Sequence, residues 1–291
     1  MLSLIPYFPP LSFTVFGIPI DSWSLLVCFA FIFGMEFARA RAVLLKLSVK
    51  DVVDGCLFIV GMGFVVGHLV HVLAYNPHLI DEEGWIVLAK VWAGFSSNGG
   101  FLGAILGTIA WIKWIRPHQP FWLYADTFAY SLPFGWFWGR VGCFTAHDHI
   151  GQLSNFVLAV DFGNSKYASY YGGARHDLGL YEAIFVFFIA VVFFSVRKKH
   201  LYHSSFAILF CMLYAPVRFG LDFLRHTDLP NPDTRWAGLT PAQYGSLLLF
   251  TAGLILLSQV KKRQRYVFPS KQLTANSGST EPSLSDGGSS A

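Results

Sequence analysis

The chain has 291 residues, of which 54% are hydrophobic and 13% charged, whereas an ordinary soluble domain carries about 25% charged residues. That balance excludes a soluble globular enzyme and indicates an integral membrane protein, with 29 Phe and 9 Trp suited to lipid contact and interface anchoring. The net charge of +4 arises from clusters that flank apolar runs, not from a continuous basic face, which argues against nucleic-acid binding.

The first twenty residues contain no Lys or Arg and four prolines (Pro6, Pro9, Pro10 and Pro19), so no cleaved signal peptide is expected. Seven apolar segments follow, at about 22–38, 52–75, 93–112, 122–144, 180–196, 204–223 and 240–260. Each is near the roughly 20 residues that a helix needs to cross a bilayer. The expected fold class is therefore all-α, a polytopic membrane protein with seven transmembrane helices. The four cysteines, Cys28, Cys56, Cys143 and Cys211, show no zinc or disulfide spacing.

Basic residues orient the segments. Arg39, Arg41, Lys46 and Lys50 follow the first, Lys113 and Arg116 the third, Arg197, Lys198 and Lys199 the fifth, and Lys261, Lys262, Arg263, Arg265 and Lys271 the seventh. That puts fourteen of the 21 on one side. Only Lys90, Lys166, Arg175, Arg225 and Arg235 fall on the other side, and Arg140 and Arg218 lie within segments. Cytoplasmic loops carry the Lys/Arg excess, so the N-terminus is expected outside and the C-terminus in the cytoplasm. A membrane domain is expected over 1–265, with the polar, Gly-rich loop 145–179 as an outer cap. The Ser/Thr/Gly-rich stretch 266–291 reads as a disordered cytoplasmic tail. Gly63 with Gly67, and Gly99 with Gly103 and Gly107, have the spacing that lets helices approach closely.

The fourth segment carries Arg140, a permanent charge whose placement at membrane depth costs about 2.5–3.5 kcal/mol. Such a residue calls for a polar cavity and an anionic partner. With the directions assigned above, His68, His71, Asn98, Arg140, His147, Asp148, His149, Arg175, His176, Tyr181, Glu182, Arg218, Asp222 and Arg225 all fall near the outer level. Arg218, Asp222 and Arg225 are spaced to share one helix face. Asp126 is the exception, roughly 20 Å below Arg140 on a continuous helix. Several basic groups at one depth suit an anionic headgroup. A helix ion pair (Arg218–Asp222), packed histidines (His68, His71), a solvated loop (147–149) and headgroup anchors (Arg225, Arg235) are plainer readings of the same residues. A histidine metal site drawn from His68, His71, His147 and His149 is a further alternative.

Four stretches carry a resemblance. The run Pro133-Phe-Gly-Trp-Phe-Trp-Gly139-Arg140-Val-Gly142-Cys143-Phe144 resembles the signature of the phosphatidylglycerol–prolipoprotein diacylglyceryl transferases. Arg175-His176-Asp177-Leu-Gly-Leu-Tyr181-Glu182, Arg218-Phe-Gly-Leu-Asp222-Phe-Leu-Arg225 and Leu239-Thr-Pro-Ala-Gln243-Tyr-Gly-Ser246 are similar to three more of that family's motifs, in the same order. The resemblance implies an enzyme of the bacterial inner membrane, multi-pass, with its active site on the periplasmic side. It would move the diacylglyceryl group of phosphatidylglycerol to the thiol of a lipobox cysteine in a lipoprotein precursor, with glycerol phosphate leaving.

Carried over residue by residue, the resemblance implies catalytic roles for Arg140, Arg225, Tyr181 and His176, and His68 joins them as a candidate for a relocated base. Substrate contacts are expected from Gly99, Gly139, Gly142, Arg175, Glu182, Arg218 and Asp222, and from Asn98, His147 and Asp148 of the outer-level cluster. No metal and no cofactor are implied. The partners are phosphatidylglycerol, lipoprotein precursors and membrane lipid. Guanidinium donors suit a departing phosphate, and a thiol of pKa near 8.5 needs a base or a positive field. Four departures stand out: Asn98 occupies the place of a family histidine, His68 that of an arginine, Ser22-Trp23 that of a Tyr-Gly pair, and Asp222 that of a glutamate. Either the base has moved, to His68, His147 or His149, or the chain is a divergent paralogue with another substrate or weak activity; a non-catalytic binder or transporter of an anionic lipid is a second reading.

Overall fold

In the computed structural model, which describes residues 5–163, 165–230 and 232–268, a short strand β1 (Ile5–Pro6) precedes a hairpin of β2 (Ser12–Val15) and β3 (Ile18–Asp21). Asp21 ends the hairpin and starts helix α1 (Ser22–Leu45), its carboxylate accepting the Ser24 N–H at 2.7 Å. Such a side chain satisfies a backbone donor that the first turn otherwise leaves without a partner. Ser48 caps α2 (Val49–Val70) in the same way, and α2 continues through a wide turn to Tyr75. A short helix α3 (His78–Glu83) lies in the connection to α4 (Ser97–Ala110), which Ser96 caps. Next comes α5 (Phe121–Ala146), with Pro133 buried inside it. Strands β4 (Ile150–Leu153) and β5 (Val160–Asp161), a single helical turn α6 (Ala168–Tyr171) and β6 (Ala174–Asp177) follow. Helices α7 (Leu178–Val196), α8 (Ser205–Leu221) and α9 (Pro241–Gln259) complete the bundle. A reciprocal Thr240–Gln243 capping box opens α9.

Each of the seven expected segments contains a helix, the third from Ser97 onward. Five helical stretches, Ser22–Leu45, Val49–Tyr75, Leu178–Val196, Ser205–Leu224 and Pro241–Lys262, are long and apolar enough to cross a membrane. Of the other two, α4 is short, at 14 residues. Helix α5 has 26 residues, but Trp122, Tyr124, Tyr130, Trp136 and Trp138 temper its apolarity. The all-α expectation needs one correction. The 145–179 cap holds a sheet of order β1-β5-β6-β4, with β1 parallel to β5 and the other pairs antiparallel.

Helix α1 packs on α5, α2 on α4, α5 on α7 and α8 on α9. Glycine makes two of these approaches possible. A Cβ at Gly103 would stand 2.4 Å from the Met62 carbonyl, and one at Gly135 2.5 Å from that of Ala30. Aromatic packing fills the interior between α5, α7 and α8, including Tyr130, Phe134, Phe193, Phe206 and Tyr214.

At the end of α5 away from the cap, Arg41 is buried beneath three rings, Tyr130, Phe206 and Tyr266, at 4.6–4.8 Å from their centroids. Asp126, the outlier of the sequence reading, accepts from Ala207 N at 2.8 Å and from the Tyr266 hydroxyl at 2.5 Å. It thereby caps α8 from outside, where Ser204 makes no side-chain cap. Tyr266 is 1% exposed, so the ordered chain runs past the expected tail boundary. The tail from 269 to 291 lies outside the described residues.

Candidate active site

Arg140 sits on the last third of α5 and faces α7. Its Nε lies 2.8 Å from Glu182 Oε1. Arg218, from α8, approaches the other oxygen of the same carboxylate, with its Nε 3.8 Å from Oε2. Glu182 is 2% exposed. It also accepts from the Tyr214 hydroxyl and from Trp136 Nε1, the latter at 3.3 Å. A buried carboxylate needs such a full set of donors, because desolvation is otherwise too costly. An aromatic stands one turn before each arginine: Trp136 lies under the Arg140 guanidinium at 4.9 Å, and Tyr214 precedes Arg218 by four residues. The sequence reading missed Tyr214 and Trp136. The i,i+4 spacing was the signal that could have found them.

Arg218 also donates to Asp222 Oδ1 at 2.7 Å. Asp222 is fully buried and accepts from the Thr240 hydroxyl, which ties the end of α8 to the start of α9. Arg225, expected to be catalytic, turns elsewhere. Helix α8 stops at Leu221, a tight turn follows over Asp222–Leu224, and Arg225 adopts an extended conformation (φ −59, ψ 142). The shared face predicted for Arg218, Asp222 and Arg225 is therefore broken. Arg225 pairs with Asp233 at 2.7 Å and stands 3.7 Å from Asp222. Its backbone bridges to Gly151 of the cap.

Other expected site residues are accounted for by packing. His68 is fully buried, with Nε2 2.8 Å from the Val87 carbonyl and Nδ1 3.0 Å from that of Gly94. It clamps the loop before α4 and has no ring nitrogen to spare. His147, in the left-handed position that ends α5 (φ 50), is held by Asp177 at Nδ1 and by the Phe8 carbonyl at Nε2, both at 3.1 Å. Burial pushes the Asp177 carboxyl up, against the lowering effect of the His147 hydrogen bond. Neither histidine fits the base or metal-ligand role raised for it. Gly99 lies against α2, where a Cβ would stand 2.9 Å from Gly67 Cα, and Gly142 lies against Trp23 and Leu26 of α1. Gly139 has open space around it.

Arg175 makes a two-pronged pair with Asp228 at 3.0 and 2.5 Å and donates to the Gly151 and Tyr171 carbonyls. It is a brace within the cap. Hydrogen bonding from Arg175 holds the Asp228 carboxyl below the usual carboxylate range. His176 and Tyr181 bond to each other at 2.8 Å and line an apolar cleft of about 410 Å³ with Phe156, Leu158, Ile184, Leu221 and Leu224. Burial pulls the His176 imidazole down. Among the described residues, no hydrogen bond or ion pair joins His176 or Tyr181 to the Arg140 cluster. Asn98 is partnered by the Tyr75 hydroxyl at 3.0 Å.

On the remaining side of Arg140, Nη1 meets two uncharged acceptor atoms, His149 Nε2 at 3.1 Å and the weaker Cys143 Sγ at 3.8 Å. Asp148 holds the other ring nitrogen of His149 at 2.5 Å. The ligating atoms of Cys143, Asp148 and His149 lie within 4.8 Å of one another, but the guanidinium aimed into them disfavours a cation. The arrangement offers a fixed pair of guanidinium groups on one carboxylate, with one flank filled only by replaceable partners.

The sequence model of the family described as prolipoprotein diacylglyceryl transferase matches residues 10–259. The chain is 25% identical over 270 residues to the phosphatidylglycerol–prolipoprotein diacylglyceryl transferase of Campylobacter lari, covering 88% of this chain and 96% of that one. It is 28% identical over 275 residues to that of Xanthomonas euvesicatoria pv. vesicatoria, covering 87% and 91%. To that of Wolbachia pipientis subsp. Culex pipiens it is 29% identical over 256 residues, covering 85% and 93%.

Proposed function

Because the chain belongs to the prolipoprotein diacylglyceryl transferase family, we propose that the Arg140–Glu182–Arg218 cluster is where its reaction takes place. The chain is a multi-pass membrane transferase that moves a diacylglyceryl group from phosphatidylglycerol to prolipoproteins. The observation that carries the site assignment is the convergence of two guanidinium groups on one buried carboxylate.

In this reading the lipid phosphate, an anion, takes the place of His149 and Cys143 at Arg140 Nη1 and bridges toward Arg218. The lipobox thiolate attacks the terminal glyceryl carbon. A C–S bond forms, the C–O bond to phosphate breaks, and glycerol phosphate leaves as an oxyanion. Guanidinium groups fixed in advance stabilise that growing charge, and Glu182 keeps both in place. The cleft beside His176 and Tyr181 suits an acyl chain, since its lining is largely apolar. The same reading keeps seven crossings, the N-terminus outside and the C-terminus in the cytoplasm, and it puts the site on the periplasmic face of the inner membrane. The position of the cluster at the cap end of α5, away from most basic residues, supports that orientation.

Purified protein mixed with phosphatidylglycerol and a lipobox-cysteine peptide tests the reading. A diacylglyceryl mass adduct is expected on the peptide, and none with Arg140→Ala. An adduct formed at the wild-type rate by Arg140→Ala would overturn the site assignment.

A further inference from the structure

From the geometry around Arg140 we infer that His149, oriented by Asp148, is the base that takes the proton of the incoming thiol; this rests on the site assignment above. Arg140 cannot accept a hydrogen bond, so the contact at 3.1 Å makes His149 Nε2 the acceptor. The ring hydrogen then sits on Nδ1, facing Asp148 at 2.5 Å. One carboxylate thus fixes the tautomer and turns a lone pair toward the guanidinium that is to hold the phosphate. This is the logic of a base oriented by a third group. Arg140 Nη1 covers that lone pair only until the phosphate replaces His149 as its acceptor, the guanidinium staying on Glu182.

Competing bases fail on geometry. Both ring nitrogens of His68 and of His147 are taken by oxygen acceptors of the fold. His176 is tied to Tyr181 at the apolar cleft. Asn98 carries an amide, which does not accept a proton at neutral pH. Cys143 touches Arg140 but is half-buried and lies within the helix. Access favours His149, whose side chain is 18% exposed, as against 4% for His147. The proton balance is simple: the thiol hydrogen passes to Nε2, sulfur bonds to the glyceryl carbon, phosphate keeps the C–O electron pair, and the imidazolium later returns its proton to water or to glycerol phosphate.

The test compares His149→Gln and Asp148→Asn with the full-length parent, using phosphatidylglycerol vesicles and two peptides that differ only in having cysteine or selenocysteine as nucleophile. A positioned base contributes roughly 10²–10⁴-fold. The expected result for His149→Gln is a loss of about 10²-fold or more in kcat with cysteine, an unchanged KM for the lipid, and near-parental turnover with selenocysteine, whose selenol is already ionised at neutral pH. Asp148→Asn, a change at a positioning residue, is expected to show a smaller loss with the same rescue. Full cysteine turnover by His149→Gln, with Arg140→Ala inactive, would overturn the base while leaving the site standing. Equal loss with both nucleophiles would also overturn it, since a structural defect does not depend on whether the nucleophile is ionised. An active Arg140→Ala beside a selenocysteine-rescued His149→Gln would overturn the phosphate site and not the base.

Discussion

Two arginines are buried in this bundle, and they are buried differently. Arg41, near the C-terminal end of α1, lies under three aromatic rings and donates to one carbonyl, that of Arg197, at 2.5 Å; its Nε and Nη2 have no hydrogen-bond partner among the described residues. Arg140 lies over one ring, pairs with a carboxylate and meets a half-buried histidine on its open flank. Both are nearly inaccessible, at 2% and 6% exposed. Burial of a charge therefore does not by itself mark a reactive site. What separates the two is that the partners of Arg41 are fixed parts of the core, whereas one side of Arg140 is held by groups that an anion can displace.

That contrast predicts opposite signatures. Arg140→Ala is expected to lower the transfer rate by about 10³-fold or more, roughly 4 kcal/mol in the barrier, because the phosphate loses its donor and Glu182 loses its closest cation. Arg41→Ala is expected to leave kcat within about twofold for the folded protein. It should instead lower stability by about 3 kcal/mol, since three cation–ring contacts are lost at up to roughly 1–2 kcal/mol each. Initial rates of peptide modification beside thermal unfolding of the same samples check both. A catalytic collapse in Arg41→Ala at unchanged stability would erase the distinction between the two regions.

A finer comparison lies at the cap end of the bundle, between Arg218 and Arg225. Of these two, Arg218 alone approaches the Glu182 carboxylate, beside Arg140. Removing a donor to a developing oxyanion costs about 10²–10³-fold, so Arg218→Ala is expected near 10²-fold, about 2.7 kcal/mol. Arg225→Ala loosens the turn that joins α8 to the cap and is expected to cost roughly tenfold, about 1.4 kcal/mol. The ratio of kcat/KM between the two variants is the measurement. An inverted ratio would restore Arg225 to the role the sequence suggested.

The sequence made Arg140, Glu182 and Arg218 legible because a charge inside an apolar run has few explanations. Apolar length likewise located every long helix. Periodicity failed at Arg225, where the helix tightens and ends one turn early. It failed at His68 and His147 as well, because the carbonyls that occupy their rings come from residues 87, 94 and 8, and no spacing along the chain reveals such contacts. The cap sheet was missed for a related reason. Its strands are two to four residues long, and one belongs to the N-terminal stretch, far away in sequence. Arg41 looked like a flanking cytoplasmic charge, since only the packed aromatics of α5, α8 and the chain past α9 show that it is enclosed.

The weakest link is at the cap rim, where Arg175 is buried but Asp228 is 47% exposed. Exposed ion pairs contribute little, about 0–1 kcal/mol, so Asp228→Asn is expected to cost about 0.5 kcal/mol and to change the transfer rate less than twofold. The sign of its pH dependence follows from the Asp228 carboxyl being held low by Arg175. A carboxyl lower in the folded than in the unfolded chain adds stability that is complete above the unfolded value, about 3.9, and is lost as pH falls through the lower folded value. The melting temperatures of parent and variant should differ by a constant amount from pH 7 to pH 5 and converge only under strong acid. A gap that closed already between pH 7 and pH 5 would show that Arg175 does not hold the Asp228 carboxyl low. Asp177, the other carboxyl of the cap, is pushed up by burial. Its sign is the reverse: a raised folded value favours folding at low pH, and that contribution disappears as pH climbs through it, so the two carboxyls of one small cap can be told apart by the direction in which stability moves.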